Sequence, residues 1–311
     1  MTHWTSSPVN FKYQLSDWVL FTTSIPMQVR AERLVDSCDP VTRIVAPGDT
    51  PEPGSQGFVI RNLPIASEQP TLSREGEYLY YIPLQYQHCY IDLSWPFDQY
   101  ANKFSSKTRS TIQRKIRKFK EHCGGSIKWK GYNQPEDIAE FFLHARQVSK
   151  LTYQERLLDV GLPTDEAFMK EALLLAQNDR LRAYILFDGD RPISYLYCPE
   201  KDGVLIYSYL GYDPEYQNLS VGTVLQWLAI ENIFHENKFK FFDFTEGNSS
   251  HKVLFSSHQR LCANIFFVKN TPINSFKIHA HHYTNRFSKW LGDTLDRYGV
   301  KAKIKKLLRR A

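Results

Sequence analysis

The spacing of apolar residues predicts alternating helices and strands between residues 105 and 244. Ile112, Ile116 and Phe119 recur at helical spacing after Ser105 and Ser106, either of which can cap a helix that continues to about residue 120. After residue 120, apolar or β-branched runs that predict strands alternate along the chain with segments of helical periodicity that predict helices. The strands are expected at 126–132, 181–187, 192–198, 204–210 and 239–244, and the further helices from Pro135 onward, at 165–177 and at 221–234.

The first hundred residues have few helix signals. Four prolines and three glycines between positions 39 and 57 predict a loop. Short β-like runs are expected around it, at 18–23, 57–63, 78–84 and 89–93. We therefore expect a smaller αβ part before residue 105, a larger α+β domain after it, and a helical tail from residue 281.

Composition indicates a globular protein. Of 311 residues, 42% are hydrophobic and 23% charged, close to globular averages. No apolar run approaches the roughly 18 residues of a membrane-spanning helix, and the first residues lack the pattern of a secretory signal. The five cysteines are scattered without a Cys-x-x-Cys pair, so we expect a cytoplasmic protein without a metal site. The chain also lacks a Gly-Lys-Ser/Thr phosphate loop and a Gly-x-Ser-x-Gly elbow.

Positive charge is concentrated in two segments. Residues 107–120 and 297–311 each contain seven basic residues and no acidic one. The rest of the chain has 25 basic and 33 acidic residues, a net charge of −8. The first segment can hold phosphate groups of a substrate, with Lys107, Arg109 and Arg114 as candidates, or be a solvated helix face. Residues 289–311 fit either adsorption to an anionic membrane or a terminal helix docked on the protein.

The loop at 211–222 has the features of an anion site. It connects a predicted strand to a predicted buried helix, whose first amides lack partners and lie at the positive end of the helix dipole. The small residues Ser220 and Gly222 would let a phosphate approach the backbone. Alternatively, Ser220 caps the helix and Gly222 allows close packing.

From about residue 107 to 252 the chain resembles the GNAT acyltransferase superfamily. The resemblance lies in the basic helix from Ser105, the run Leu181-Arg182-Ala183-Tyr184-Ile185-Leu186-Phe187, the 211–222 loop, and Phe242-Asp243-Phe244-Thr245-Glu246-Gly247 with His251-Lys252. Within this superfamily the chain most resembles the BioF2-like or CelD-type branch, relatives of the Fem peptidoglycan aminoacyltransferases. The resemblance implies an α+β GNAT-type fold with a mixed central sheet in a tandem Fem-like arrangement. The corresponding domains are a divergent GNAT-like part at 1–104, the acetyltransferase-like domain at 105–270 and a basic helical tail at 271–311.

The resemblance also implies a site for the pyrophosphate of CoA. The family's Gln/Arg-x-x-Gly-x-Gly/Ala segment corresponds here to a run in which Ser220 replaces the first glycine. Its members are Gln217, Asn218, Leu219, Ser220, Val221, Gly222 and the adjoining Thr223. The strands at 204–210 and 239–244 would splay apart to admit the thioester arm, and free amides would polarise its carbonyl.

Asp243 is the first candidate to accept the proton of an attacking amine. It comes late in a Phe-rich strand, where burial would raise its pKa; Glu246 and Glu215 are alternatives. The other interpretation of Asp243 is a carboxylate that accepts hydrogen bonds from loop amides. The resemblance places Lys252 near the acyl carbonyl or a substrate phosphate. Tyr207 and Tyr209 should share a strand face, where either can protonate a thiolate, line the acceptor cleft or pack as a core aromatic. We take Tyr209 as the catalytic candidate and Tyr207 as a substrate-binding residue.

These expectations combine into one hypothesis and two alternatives. The hypothesis is transfer of an acyl group, most simply acetyl from acetyl-CoA, to an amine of a sugar or cell-envelope precursor. The first alternative is a Fem-type transferase that uses aminoacyl-tRNA, the one case in which nucleic acid is an expected partner. The second is a non-catalytic scaffold that binds RNA or membrane through its basic segments.

Overall fold

The computed structural model describes residues 4–15, 18–36, 39–152, 161–163, 165–247 and 249–297. The chain divides into two compact units, Met1–Gln87 with Arg260–Ala311, and His88–Gln259. These divisions fall at other positions than the predicted domain boundaries after residues 104 and 270. The strands are β1 (Thr5–Leu15), β2 (Trp18–Ala31), β3 (Gly57–Pro64), β4 (Leu72–Glu75), β5 (Tyr78–Asp92), β6 (Lys128–Tyr132), β7 (Leu181–Asp188), β8 (Arg191–Lys201), β9 (Val204–Ile206), β10 (Tyr209–Tyr212), β11 (Phe241–Asp243) and β12 (His258–Lys269). The helices are α1 (Phe97–Asn102), α2 (Ser106–His122), α3 (Ile138–Ser149), α4 (Glu166–Gln177), α5 (Val221–Glu236), α6 (Ser250–Phe255) and α7 (Pro272–Arg297).

The first unit is a mixed sheet with a long helix on it. β1 and β2 form an antiparallel hairpin, β2 pairs in parallel with β3, and β3 pairs antiparallel with β12, which neighbours β5. Alternate residues of β1 (Val9, Phe11 and Tyr13) are buried, and they pack in one cluster with Ile278 of α7. The helix begins at Pro272, one residue after the start of the predicted tail domain and nine before the helical pattern expected from residue 281. The Thr271 hydroxyl accepts a hydrogen bond from the Asn274 amide at this end.

The second unit is a mixed sheet with helices on both faces. Its strand order is the end of β5, then β11, β9, β8, β7 and β6, with β10 on β8. Tyr184 and Leu186 of β7 pack with α2 and α5, whereas Ala183 and Ile185 pack with α3 and α4. Because both faces are covered, this strand is apolar along nearly its whole length.

The predicted α+β class with a mixed sheet is confirmed, and most predicted elements lie within a few residues of their expected limits. α2 begins after Ser105, whose side chain accepts from the Thr108 amide. Some strand predictions were wrong in detail. The runs expected at 78–84 and 89–93 belong to the single strand β5, the strand expected at 204–210 is interrupted, and β1, β4 and β12 were missed. No helix in the described ranges has the length and apolarity needed to cross a membrane.

Candidate active site

Two neighbouring strands part at the centre of the second unit. β9 pairs in parallel with β11, and the Tyr207 amide still donates to the Asp243 carbonyl at 2.8 Å. Tyr207 and Ser208 then leave the strand, and β10 continues on β8 alone. The strand predicted at 204–210 therefore separates from its neighbour midway, and one edge of β10 has no strand partner among the described residues.

A cavity of about 350 Å³ lies where the strands part. Four of its nine lining residues are aromatic and one is a carboxylate, and Ser208 and Thr245 add hydroxyls to those of the three tyrosines. The residues that line it are Phe168, Glu171, Leu175, Tyr197, Pro199, Tyr207, Ser208, Tyr209 and Thr245. Tyr207 and Tyr209 both reach the cavity, but Tyr207 packs with Phe242 and Phe244 whereas Tyr209 packs with Phe168 and Tyr197. The interruption between them explains why they join different clusters.

The loop at 213–223 ends with free backbone amides. It begins with Asp213, whose side chain accepts from the Glu215 amide, and forms a 3-10 turn at Pro214–Leu219. Ser220 has φ 55° and ψ 38°, a left-handed conformation, and its side chain makes no capping hydrogen bond. Its carbonyl accepts from Thr223 and Val224, which leaves the amides of Val221 and Gly222 with no hydrogen-bond partner in the described part of the chain.

Gly222 is also closely packed. A Cβ at this position would lie 3.3 Å from Tyr212 Cδ1 and 3.4 Å from Leu210 Cδ2. These contacts agree with the packing alternative for Gly222, and both Val221 and Gly222 are buried. Of the other predicted donor-binding residues, Gln217 and Asn218 are exposed, while Leu219 and Thr223 are half-buried.

Lys118 connects the basic helix to this loop. Its Nζ donates to the Asn218 carbonyl at 3.1 Å, so an ammonium lies beside the loop. The three residues predicted to bind substrate are placed differently. Lys107 and Arg114 are exposed on α2, and Arg109 donates to Asn102 Oδ1 at 2.7 Å.

Asp243 has two hydrogen-bond donors on one oxygen. His88 Nε2 lies 2.6 Å from Asp243 Oδ1, and the Thr245 amide donates to the same atom at 2.7 Å. His88 is buried at the end of β5, and its strand pairs with β11. Sequence reasoning missed His88, whose only signal was a histidine within an apolar β run. The loop amide on Asp243 agrees with the structural interpretation of this carboxylate.

His251 and Lys252 lie on α6 close to this carboxylate. His251 Nε2 is 3.4 Å from the Tyr207 hydroxyl, and Lys252 Nζ donates to the Glu246 carbonyl at 2.6 Å. Burial, with Lys115 and Lys252 nearby, lowers the pKa of His251 below its usual 6.5. Burial also lowers the pKa of Lys252 and raises that of Tyr207. We call His88, Tyr207, Asp243, His251 and Lys252 the polar cluster.

The two other candidate bases point elsewhere. The side chain of Glu246 is exposed, and it is the backbone carbonyl of this residue that binds Lys252. Glu215 is exposed and paired with Arg191 at 2.8 Å, and Arg191 also pairs with the buried Asp213. Neither glutamate lines the cavity.

Comparison with known proteins gives one family match. Residues 106–253 match the family model described as an acetyltransferase (GNAT) domain. No curated protein has a significant sequence match to the chain. Within the described part of the chain, no group of His, Cys, Asp or Glu could hold a metal ion.

Several solved structures are similar in outline. L-PGS from Bacillus licheniformis is 13% identical over 72% of this chain and 71% of its own, with a TM-score of 0.46. FemX is 9% identical over 88% and 90%, with a TM-score of 0.49. A GCN5-related N-acetyltransferase from Kribbella flavida is 10% identical over 60% of both chains, with a TM-score of 0.33.

Proposed function

Since residues 106–253 are a GNAT-type acetyltransferase domain, we propose that the protein transfers an acyl group from acyl-CoA, most simply acetyl, to an amine of a sugar or cell-envelope precursor. The observation that carries the proposal is the parting of β9–β10 from β11 beside a cavity, with two free amides at the start of the adjacent helix. The first feature provides a path for a thioester arm. The second provides an anion site for the donor.

The diphosphate of the donor would bind the amides of Val221 and Gly222. Charged groups gain about 1.5–3 kcal/mol from each such hydrogen bond, and the dipole of α5 adds to this attraction. A side chain at position 222 would block the approach, which agrees with a glycine there. Lys118, beside the Asn218 carbonyl, supplies a positive charge at the same loop.

The unpaired edge of β10 would polarise the thioester carbonyl. Alternate amides along a strand point to the same side, so those on the open edge are available to an oxyanion. As the amine nitrogen bonds to the carbonyl carbon, the C–S bond breaks and the sulfur leaves as a thiolate. Aromatic walls exclude water from this step.

Tyr207 is the proposed proton donor to that thiolate. Its hydroxyl is protonated at neutral pH, and burial raises its pKa further above the ordinary value of 10. Its side chain lines the cavity. After it gives its proton to sulfur, it recovers one from the new N–H⁺ group, so one proton moves from nitrogen to sulfur. His251 Nε2, 3.4 Å away, orients the hydroxyl, and Tyr209 lines the cavity as an acceptor contact. The role of Asp243 as a base stays a prediction beside its role in fixing the end of β11.

The residues that line the cavity favour an acceptor whose amine is attached to a ring with apolar faces. Phe168, Tyr197 and Tyr209 can stack on such a ring, and their faces attract a cation. Glu171 adds a carboxylate for an ammonium group. An amino sugar combines these properties, which is why we propose it as the acceptor class.

A thermal-shift titration with CoA and acetyl-CoA tests the donor. Ligand at about 100 times its dissociation constant should stabilise the protein by roughly 2.7 kcal/mol, several degrees in melting temperature. Radiolabelled acetyl transfer to glucosamine, compared with a peptide amine, then tests the acceptor. No stabilisation at millimolar ligand would reject the CoA donor. Salt-sensitive tRNA binding that is lost when Lys115, Arg117 and Lys118 are neutralised would favour the aminoacyl-tRNA donor instead.

A further inference from the structure

Helix α7 in the first unit has apolar side chains on two faces. Its inner face is packed on the sheet, with Asn274, Ile278 and His281 buried. Its outer face carries five large apolar side chains exposed to solvent. These are Ile273 (70% exposed), Phe276 (76%), Tyr283 (61%), Phe287 (50%) and Trp290 (59%).

The exposed residues form a stripe along one side of the helix. They follow each other at intervals of three, seven, four and three positions. Residues three and four apart lie on one side of a helix, so the stripe extends for about 26 Å. The rings of Phe287 and Trp290 stack with centroids 5.6 Å apart. Apolar surface of this extent marks an interaction site.

The hairpin of the same unit adds apolar surface next to the helix. Val19, Leu20 and Phe21 are about half exposed. The ring of Phe21 stacks on Tyr13 at 4.3 Å, and the Tyr13 hydroxyl donates to the carbonyl of Lys277 at 2.9 Å. β1 therefore lies beside α7, and Phe21 of β2 packs on it.

Basic residues outnumber acidic ones in the sequence of α7 and the residues that follow it. Residues 272–311 contain ten Lys or Arg and only two Asp. Lys277, Arg286 and Lys289 are the basic residues of α7 before its last turn. An amphipathic helix with aromatic residues on one face and basic residues around it is typical of a segment that lies in the interface of an anionic membrane.

We propose that α7 binds peripherally to the surface of an anionic lipid bilayer, with the stripe from Ile273 to Trp290 immersed and the basic residues at the headgroups. A second copy of the chain is a poorer occupant of the same face. Two such helices side by side would bring the same basic residues together, and like charges repel. The proposal is independent of the acyl-transfer function.

Vesicle sedimentation with the full chain tests the proposal. Wild-type protein should sediment with vesicles of equal phosphatidylglycerol and phosphatidylcholine, and much less with phosphatidylcholine alone. The triple variant Phe276→Ser, Phe287→Ser and Trp290→Ser should lower the partition coefficient at least about tenfold, since each side chain loses apolar burial. The matched control is Val45→Ser, Leu143→Ser and Leu174→Ser, which removes side chains of 60–62% exposure and should change nothing.

Substitution of single basic residues measures the electrostatic contribution to vesicle binding. Each of Arg286→Gln and Lys289→Gln should weaken binding to anionic vesicles about fivefold, with no effect on neutral ones. All substituted side chains are largely exposed, and circular dichroism verifies that each variant folds. Absence of wild-type sedimentation, or equal binding by the triple variant, overturns the proposal. A concentration-dependent dimer that the triple variant loses, without vesicle binding, would assign the stripe to a second copy.

Discussion

The 213–223 loop and the polar cluster lie on the same unit but are built in opposite ways. The loop comes from one continuous segment, so its free amides follow from the local order of strand, turn and helix. The polar cluster joins residues from β5, the end of β9, β11 and α6, up to 164 positions apart in the chain. The loop can bind a ligand through its backbone. The cluster depends on individual side chains, so substitutions should act differently on the two regions.

The largest effect should come from a side chain at position 222. Gly222→Trp should lower the affinity for CoA at least about a hundredfold, because it covers the two amides and has no room beside Tyr212 and Leu210. Calorimetric titration measures this. Gly48→Trp is the control, since a Cβ there meets nothing within 4 Å. If Gly222→Trp does not fold, Lys118→Gln should still weaken binding several-fold, and unchanged affinity in that variant would contradict the site.

Removing the Tyr207 hydroxyl should affect turnover and not donor binding. We expect Tyr207→Phe to lower kcat about a hundredfold with little change in donor KM, because a general acid contributes at least this factor. Tyr209→Phe is the matched control and should change kcat only a few-fold. Steady-state kinetics with saturating acceptor distinguish them. Equal losses in the two variants would show that neither hydroxyl is the acid.

The hydrogen bond between His88 and Asp243 should make the effects of substituting these two residues on stability non-additive. His88→Gln and Asp243→Asn should each lower the free energy of unfolding by about 1–3 kcal/mol, and the double variant by clearly less than their sum. Urea unfolding measures all three. Additive effects would contradict the bond. A hundredfold loss of kcat in Asp243→Asn alone would identify Asp243 as the base.

Acidification should destabilise the polar cluster. The folded protein holds His251 with a pKa below its value in the unfolded chain, so the unfolded chain binds more protons as the pH falls below about 6.5. Stability therefore decreases toward acid pH, and His251→Gln should flatten this slope. Urea midpoints between pH 5 and 7.5 test it, with the exposed His235→Gln as control. An unchanged slope in His251→Gln would contradict the burial effect.

The smallest effect should come from Ser220. Its left-handed backbone costs a non-glycine residue about 1–2 kcal/mol, part of which glycine avoids. Ser220→Gly should raise the free energy of unfolding by about 0.5–1 kcal/mol and leave CoA affinity unchanged. Thermal unfolding and titration measure the two quantities. A loss of stability would show that the serine hydroxyl is needed.

The sequence was sufficient for the parts of the site that depend on local pattern. Helical spacing located α2 and α5, and the Ser-x-Gly order located the free amides at the start of α5. His88 could not be placed, because the pairing of β5 with β11 joins residues 155 positions apart. The interruption at residues 207–208 was also hidden, since residues 204–210 are a β-like run that no glycine or proline breaks.

The contact between α2 and the loop was equally beyond sequence reasoning. Seven basic residues on one helix gave no indication of which would meet Asn218, because that depends on how the helix packs. The periodicity of Ile112 and Phe119 predicts the buried face of α2. It does not predict what lies opposite its exposed faces.

The interruption after Tyr207 makes the entrance a property of the main chain. Its position is set by the point at which the two backbones separate. Residues such as Phe168, Glu171 and Leu175 lie on α4, outside the strands that part. If the proposed function holds, relatives could exchange these wall residues and accept a different nucleophile while they keep the passage proposed for the thioester. The fold in this way permits divergence of substrate preference without loss of the underlying chemistry.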